Sequence, residues 1–360
     1  MKIQSSQKYN VIGLMSGTSL DGVDIAFCRF EERGKKWHVS IKAAETIKYP
    51  KTWKNKLANA HLISAEKLIE LHGEYGDFLG RLCNDFIQKN HAKQVNFIAS
   101  HGHTIFHQPQ SKFTFQLGNG NDIHAATGLP VVFDFRSLDV ARGGEGAPLV
   151  PVGDRLLFSE YDVCLNLGGI ANLSMEVNRQ RKAFDVCFCN MGLNYLAGKA
   201  GREFDADGSL SSQGMVNKNW LGELYKAYSA TRKKHPSLAR EGFEKSLVPL
   251  LENNSVSLRD RLRTFCESIV HEIEEAVPRS KNLKLLSTGG GAHNKFLIQL
   301  LREKLSDRVE VVVPDTTIVD FKEATVFGFL GVLRVRNQTN VLKSVTGASR
   351  DSCSGIVVGL

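Results

Sequence analysis

An apolar run, Val11–Met15, climbs into a tight Ser/Gly/Thr turn, and a second apolar run, Val23–Phe30, leaves it. The same order returns later: Val163–Leu167 runs into Gly168-Gly169, and Ile170–Met175 comes out. A third strand continues each pair, Trp37–Ile47 in the first half and Ala183–Val186 in the second. Each half then supplies an amphipathic helix and another buried strand. In the first, Ser64 opens a helix with Leu68, Leu71, Tyr75, Phe78, Leu82 and Phe86 at helical spacing. The strands Val95–Ser100 and Leu129–Phe133 follow. In the second, Leu258, Leu262, Phe265, Ile269 and Ile273 form the stripe. Leu283–Ser287, a helix over Asn294–Leu305 and Val309–Val313 come next, stopped by Pro314. A repeated topology without a repeated sequence predicts two similar α/β domains with a nucleotide cleft between them. Their boundaries are placed at residues 1–133 plus 341–360 and at 134–340. The Gly- and Pro-rich stretch Gly143–Pro151 serves as a crossover or hinge.

Bulk properties narrow the function. A chain of 360 residues suits about two domains. It contains no apolar run of about 18 residues, so a membrane span is not expected. The start, Met1–Tyr9, is polar and lacks a signal-peptide core, which points to the cytoplasm. The net charge of +8 is spread along the chain. Its densest run, Arg232-Lys233-Lys234-His235, reads as a solvated helix end. No aromatic residues interleave with the basic ones, so nucleic acid is not an expected partner, whereas anionic small molecules are. Seven scattered cysteines, several inside apolar runs, read as reduced, packed thiols. Cys187 and Cys189 alone are weak support for zinc.

Three glycine turns follow apolar strands: Gly17–Gly22, Gly168-Gly169 and Gly289-Gly290-Gly291. The first aims backbone N–H groups and small hydroxyls at one place, which suits phosphate, and Asp21 and Asp24 add carboxylates for a hard cation. The second would meet the phosphates from the opposing side. The third would let a nucleoside approach closely. Plain tight turns of a generic α/β protein are the alternative for all three. Asp185, in F-D-V-C-F-C-N, suits proton abstraction or a turn, and Asn190 suits a site or a helix cap. His101 and His103, two apart on a strand, share a face on which they could bind metal or hydrogen-bond a ligand, with no clear third ligand. Arg136 suits an anion or a surface ion pair. Glu323 reads as the start of an apolar helix, where it offsets the dipole.

Taken in order, these segments resemble the anhydro-N-acetylmuramic acid kinase family of the actin-like sugar kinase superfold, whose domains are ribonuclease-H-like. The shared words are G-L-M-S-G-T-S-L-D-G-V-D, S-H-G-H-T (Ser100–Thr104), D-F-R (Asp134–Arg136) and G-G-E-G-A-P-L-V-P (Gly143–Pro151). N-L-G-G-I-A-N-L (Asn166–Leu173), T-G-G-G-A-H-N (Thr288–Asn294), K-E-A (Lys322–Ala324) and V-T-G-A (Val345–Ala348) complete the set. The resemblance implies an ATP- and Mg²⁺-dependent enzyme of peptidoglycan recycling. It would open the 1,6-anhydro ring of its amino sugar with water and phosphorylate the freed O6. By position, Gly17, Thr18, Ser19, Leu20, Asp21, Gly22, Val23 and Asp24 would bind phosphates, with Asp21 on the metal. Asp185 would be the catalytic base. Glu323 would hold the sugar, with His103, Thr104 and Arg136 as further contacts. The expected partners are ATP and the amino sugar, and a homodimer is left open. One word departs: where the family reads F-D-T-G-P-G-N, this chain has Val186, Cys187, Phe188 and Cys189 in the middle. If those positions need positive φ, side chains there are strained, and Phe188 would enter or line the sugar pocket. A low-turnover sensor of ATP and sugar, or a kinase for a related amino sugar, are the alternatives.

Overall fold

The computed structural model describes residues 8–17, 20–229, 232, 237–252 and 254–359. The chain forms two compact units, one made of residues up to Phe158 together with those from Phe321 on, the other of Ser159–Asp320.

Unit 1 is built on a seven-stranded sheet. β1 (Lys8–Ser16), β2 (Gly22–Arg33) and β3 (Lys36–Lys48) form an antiparallel meander. β4 (Phe97–Gln108) lies parallel to β1, and β6 (Val131–Phe133) lies parallel to β4. β5 (Phe113–Leu117) folds back on β4, and β12 (Ile356–Val358) closes the edge against β6. Unit 2 holds five strands. β7 (Val163–Leu167), β8 (Ile170–Val177) and β9 (Gln180–Phe188) repeat the meander. β10 (Leu283–Thr288) runs parallel to β7, and β11 (Val309–Val312) parallel to β10. The order β3-β2-β1-β4-β6 in one unit and β9-β8-β7-β10-β11 in the other is the same. The repeated topology read from the sequence is therefore real, and each unit is ribonuclease-H-like.

Strand β1 is buried on both faces. Ile12 and Leu14 join the core formed with Leu71, Tyr75 and Leu79 of the helix Ala65–Lys89. Ser64 caps that helix, accepting from the Lys67 amide. Gly13 faces the other way, toward the helix Thr316–Val335. A Cβ built at Gly13 would stand 2.0 Å from the Ala324 carbonyl oxygen, so only glycine permits this approach.

The unit boundaries differ from those placed by sequence. The segment 134–158 and most of the last long helix pack with unit 1. Gly153 seats against Val326, and Lys322 forms a buried ion pair with Asp154 at 3.1 Å. The long helix also begins earlier than Glu323. Asp315 accepts from the Ile318 amide at 3.1 Å and caps a first turn whose β-branched residues masked it. Arg232 is not at a solvated helix end: it donates to Glu272 and to the Tyr225 carbonyl. Residues 233–236 of the same run lie outside the described residues. All seven cysteines are free thiols, six of them buried. Among the described residues no helix is long and apolar enough to cross a membrane.

Gly13→Ala should destabilise unit 1 by about 1–3 kcal/mol, the usual cost of overpacking, measured as a lower midpoint in urea unfolding. An unchanged midpoint would mean that the helix and β1 are less tightly apposed than described.

Candidate active site

In unit 1 the first glycine turn joins β1 to β2. Gly17 accepts from the Leu20 amide at 3.4 Å, and Leu20 itself takes a positive φ of 61°, unusual for a branched side chain. Thr18 and Ser19 lie outside the described residues. Gly22 is tight against β3, where a Cβ would meet the Ile47 carbonyl at 2.4 Å. Asp21 is exposed beside the turn. Val23 turns its side chain into the core, so only its backbone can reach a ligand. Asp24 lies within β2 and accepts from Thr46 at 2.5 Å.

The two histidines of S-H-G-H-T do not share a face. Gly102, between them, has φ of 75°, and a Cβ there would meet the Leu117 carbonyl at 2.5 Å. The pairing of β4 with β1 slips at the same place. The period-two alternation breaks, and a shared metal site goes with it. His101 packs on Phe327 of the Thr316–Val335 helix. His103 instead faces Tyr75 of the Ala65–Lys89 helix.

His101 anchors the arginine. Arg136 donates Nε–H to His101 Nε2 at 2.9 Å and Nη1–H to the Gly146 carbonyl at 2.6 Å. His101 Nδ1 therefore carries the proton, which it gives to the Gly102 carbonyl at 2.8 Å. Desolvation holds this ring well below the usual histidine range, with Arg136 adding to the effect. Desolvation also pulls Arg136 down to about 10, against the pull of Glu323. Glu323 is shifted the other way, upward, by desolvation, with Lys322 and Arg136 opposing. Arg136 and Glu323 thus sit in one electrostatic neighbourhood. Asp139, fully buried, accepts from the Gly146 amide at 2.8 Å and from Thr346 at 2.9 Å. It ties the Gly143–Pro151 loop to V-T-G-A, a link the sequence did not reveal. Thr104 accepts from Gln116 at 3.4 Å.

In unit 2 the other two glycine turns and Asn190 come together. The Gly168 and Gly169 carbonyls accept from the amides of Cys189, Asn190 and Met191. Asn190 begins the helix Asn190–Gly198 and donates from its side chain to the Leu167 carbonyl at 2.9 Å, so it ties strand to helix and caps neither. Gly289 has φ of 82°, and a Cβ there would meet Asn166 at 2.5 Å. At Gly291 a Cβ would stand 3.0 Å from the Asn190 oxygen. Gly290–His293 form a short 3₁₀ turn, after which Asn294 caps the helix Lys295–Leu305.

Asp185 is inside β9, which runs on to Phe188 and does not stop at Val186 as read from the sequence. The pairing with β8 slips beside it, leaving Val186 as an extra residue. Its Oδ2 accepts from the Leu238 amide at 2.9 Å. Its Oδ1 has no partner among the described residues. Desolvation raises its pKa, and the Leu238 hydrogen bond opposes the rise. The unusual residues after it are not strained: none of Val186, Cys187, Phe188 or Cys189 has positive φ. Phe188 does not line an open pocket. It is buried against Phe243, centroids 5.4 Å apart, and Tyr228. β9 continues through it, and the bulky residues fill the unit 2 core.

The repeated meander and the glycine turns at its strand ends place the chain among the actin-like sugar kinase folds. Its family is narrower still. The model of the family described as "Anhydro-N-acetylmuramic acid kinase" matches residues 9–359. A relative from Vibrio parahaemolyticus with that name is 35% identical, covering 96% of this chain and 97% of its own length. Those from Sulfurimonas denitrificans and Vibrio cholerae are 32% and 34% identical; each aligns with 96% of this chain, over 98% and 97% of their own lengths. The chain belongs to the anhydro-N-acetylmuramic acid kinase family.

His103 gives this region a pH signature. Desolvation lowers its pKa to about 4 from the ordinary 6.5. Acid therefore protonates the unfolded chain first. Stability should be full above about pH 6.5 and fall by up to about 3 kcal/mol between pH 6.5 and 4. His103→Gln should flatten that part of a urea-unfolding pH series; an equal slope in both proteins would contradict the assignment.

Proposed function

We propose that this protein uses ATP to convert anhydro-N-acetylmuramic acid into N-acetylmuramic acid 6-phosphate, a cytoplasmic step of cell-wall recycling. Family membership over nearly the whole chain supports the substrate and the reaction. The observation that carries the chemistry is Asp185, with one carboxylate oxygen held by a backbone amide and the other without a partner among the described residues. Its raised pKa strengthens it as a base.

In this reading Asp185 takes a proton from water as the water oxygen bonds to the anomeric carbon. The bond from that carbon to O6 breaks. O6 bonds to the γ-phosphorus, and the bond to the ADP oxygen breaks. In unit 1 the Gly17–Gly22 turn would offer backbone N–H groups to phosphate, and in unit 2 Gly289–Gly291 would allow a nucleoside to lie close. Arg136, oriented by His101 and Gly146, offers Nη2 to an acceptor oxygen, and Glu323 beside it offers a carboxyl to the sugar. The residues fit Mg²⁺ bound in the usual kinase manner. Among the described residues no three acidic or nitrogen ligands form a cage, but Asp21 is exposed at the turn. One such carboxylate, with phosphates and water, is a common Mg²⁺ shell. When bound, the ion would offset phosphate charge.

A low-turnover sensor drew its support from the rebuilt segment after Asp185. Those residues pack in the core and leave Asp185 within β9, beside the slip in its pairing with β8, so active turnover is the stronger reading. A coupled ADP-release assay with the anhydro sugar tests it. Asp185→Asn should lose about 10²–10⁴-fold in kcat while keeping the Leu238 hydrogen bond. Wild-type turnover no faster than that of the variant would overturn the proposal.

A further inference from the structure

The backbone that brings Leu238 to Asp185 meets the same strand a second time. Asp185 and Phe188 both lie on β9. Asp185 Oδ2 accepts from the Leu238 amide at 2.9 Å. The Phe243 amide donates to the Ala239 carbonyl at 3.1 Å, which closes the next residues into a helical turn. The Phe243 ring then meets the Phe188 ring edge to face, centroids 5.4 Å apart and planes at 67°. Phe188 also covers Gly242, where an added Cβ would stand 3.7 Å from its Cζ. Strand and turn are thus joined by a hydrogen bond at Leu238 and by aromatic packing at Phe243.

The two attachments differ in strength. From residue 237 to residue 246, Phe243 alone is buried, Leu238 is half-buried and the others are exposed. The Leu238 end is therefore the looser one, and a hydrogen bond there adds little net hold. Phe243 is gripped from both sides, by Phe188 and by Tyr195, whose centroid is 6.1 Å away. Leu247 and Leu251 continue its buried stripe one and two turns on. A closely packed seat of this kind admits few alternatives, so it sets where the turn lies and where the Leu238 amide points. The family word has proline at the position of Phe188, and proline supplies no ring.

We propose that Phe188 is a positioning residue: by seating Phe243 it holds the turn after Leu238 so that the Leu238 amide orients the Asp185 carboxylate. It touches no reacting atom itself. That the orientation serves catalysis rests on the proposed kinase reading, whereas the hold on Asp185 does not. Among the described residues, burial raises the Asp185 pKa and the Leu238 amide lowers it. The Cys187 thiol, the titratable group nearest along β9, is kept protonated by burial. Loss of the amide leaves burial unopposed, so the carboxyl should then titrate at higher pH.

Selective ¹³C-carboxyl labelling of aspartate reads the Asp185 titration in the whole protein without substrate, with Asp185→Asn identifying its signal. Phe188→Leu and Phe243→Leu should each raise the midpoint by about one pH unit, roughly tenfold in the ionisation constant. The double variant should move it no further, because both changes act through one contact. Leu305→Ala, a cavity elsewhere in the unit 2 core, should lower the unfolding midpoint and leave Asp185 unmoved. In the ADP-release assay the acid limb of kcat should rise by the same amount in the two leucine variants while the KM for ATP holds. An unmoved Asp185 in folded Phe188→Leu, or an equal shift in Leu305→Ala, overturns the proposal whatever the enzyme turns over. A wild-type Leu238 amide that exchanges with deuterium as fast as an unstructured one overturns it without any variant. Absence of turnover with the anhydro sugar, by contrast, counts against the kinase reading and leaves the Asp185 titration to decide the hold.

Discussion

Unit 1 depends on how closely one helix lies on one strand. Gly13 has no side chain, and the backbone of Ala324 occupies the space a Cβ would need. The next turn of the helix brings Gly328 to the same strand. That contact fixes the depth and rotation of the Thr316–Val335 helix. Lys322 and Glu323 immediately precede Ala324, and Phe327 follows one turn later. The buried Lys322–Asp154 pair, the packing of Phe327 on His101 and the Glu323–Arg136 neighbourhood are therefore set by a single close approach. A buried ion pair by itself is a weak source of stability; here its geometry is imposed by apolar and backbone packing on either side.

Polar satisfaction orders the rest of unit 1. The loop from Gly143 to Pro151 contributes backbone groups that only a few side chains can answer. Asp139 answers the Gly146 amide and Arg136 answers the Gly146 carbonyl. The arginine is held in turn by an imidazole that its desolvated setting keeps neutral. Each partner orients the next, so the guanidinium is pre-positioned before any ligand arrives, and less freedom is lost on binding.

Much of this was legible in the sequence where local signals and tertiary need agree. The β7 strand coincides with its apolar run, Val163–Leu167, and Ser64 and Asn294 cap the helices they announce. The glycine turns stand at strand ends as their spacing requires. What could not be read depends on partners far along the chain. Asp185 meets the amide of Leu238, and Arg136 meets His101 across a strand boundary. The parting of His101 from His103 needs both a positive-φ glycine and a slip in pairing, and periodicity alone assumes neither. Short strands such as β5 and β12 carry too few residues to show alternation. The unit boundaries shifted because packing against the sheet, not loop composition, decides which segment belongs where.

The distribution of thiols has a practical consequence. Cys28, Cys83, Cys164, Cys187, Cys189 and Cys266 are all shut inside the protein, and Cys353 alone reaches the surface. Desolvation pushes the thiols of Cys28, Cys83, Cys187, Cys189 and Cys266 up, which keeps them protonated. The natural chain therefore carries a single chemical handle in its C-terminal segment. A maleimide fluorophore or spin label attached there would report from one known position, with no prior removal of native cysteines.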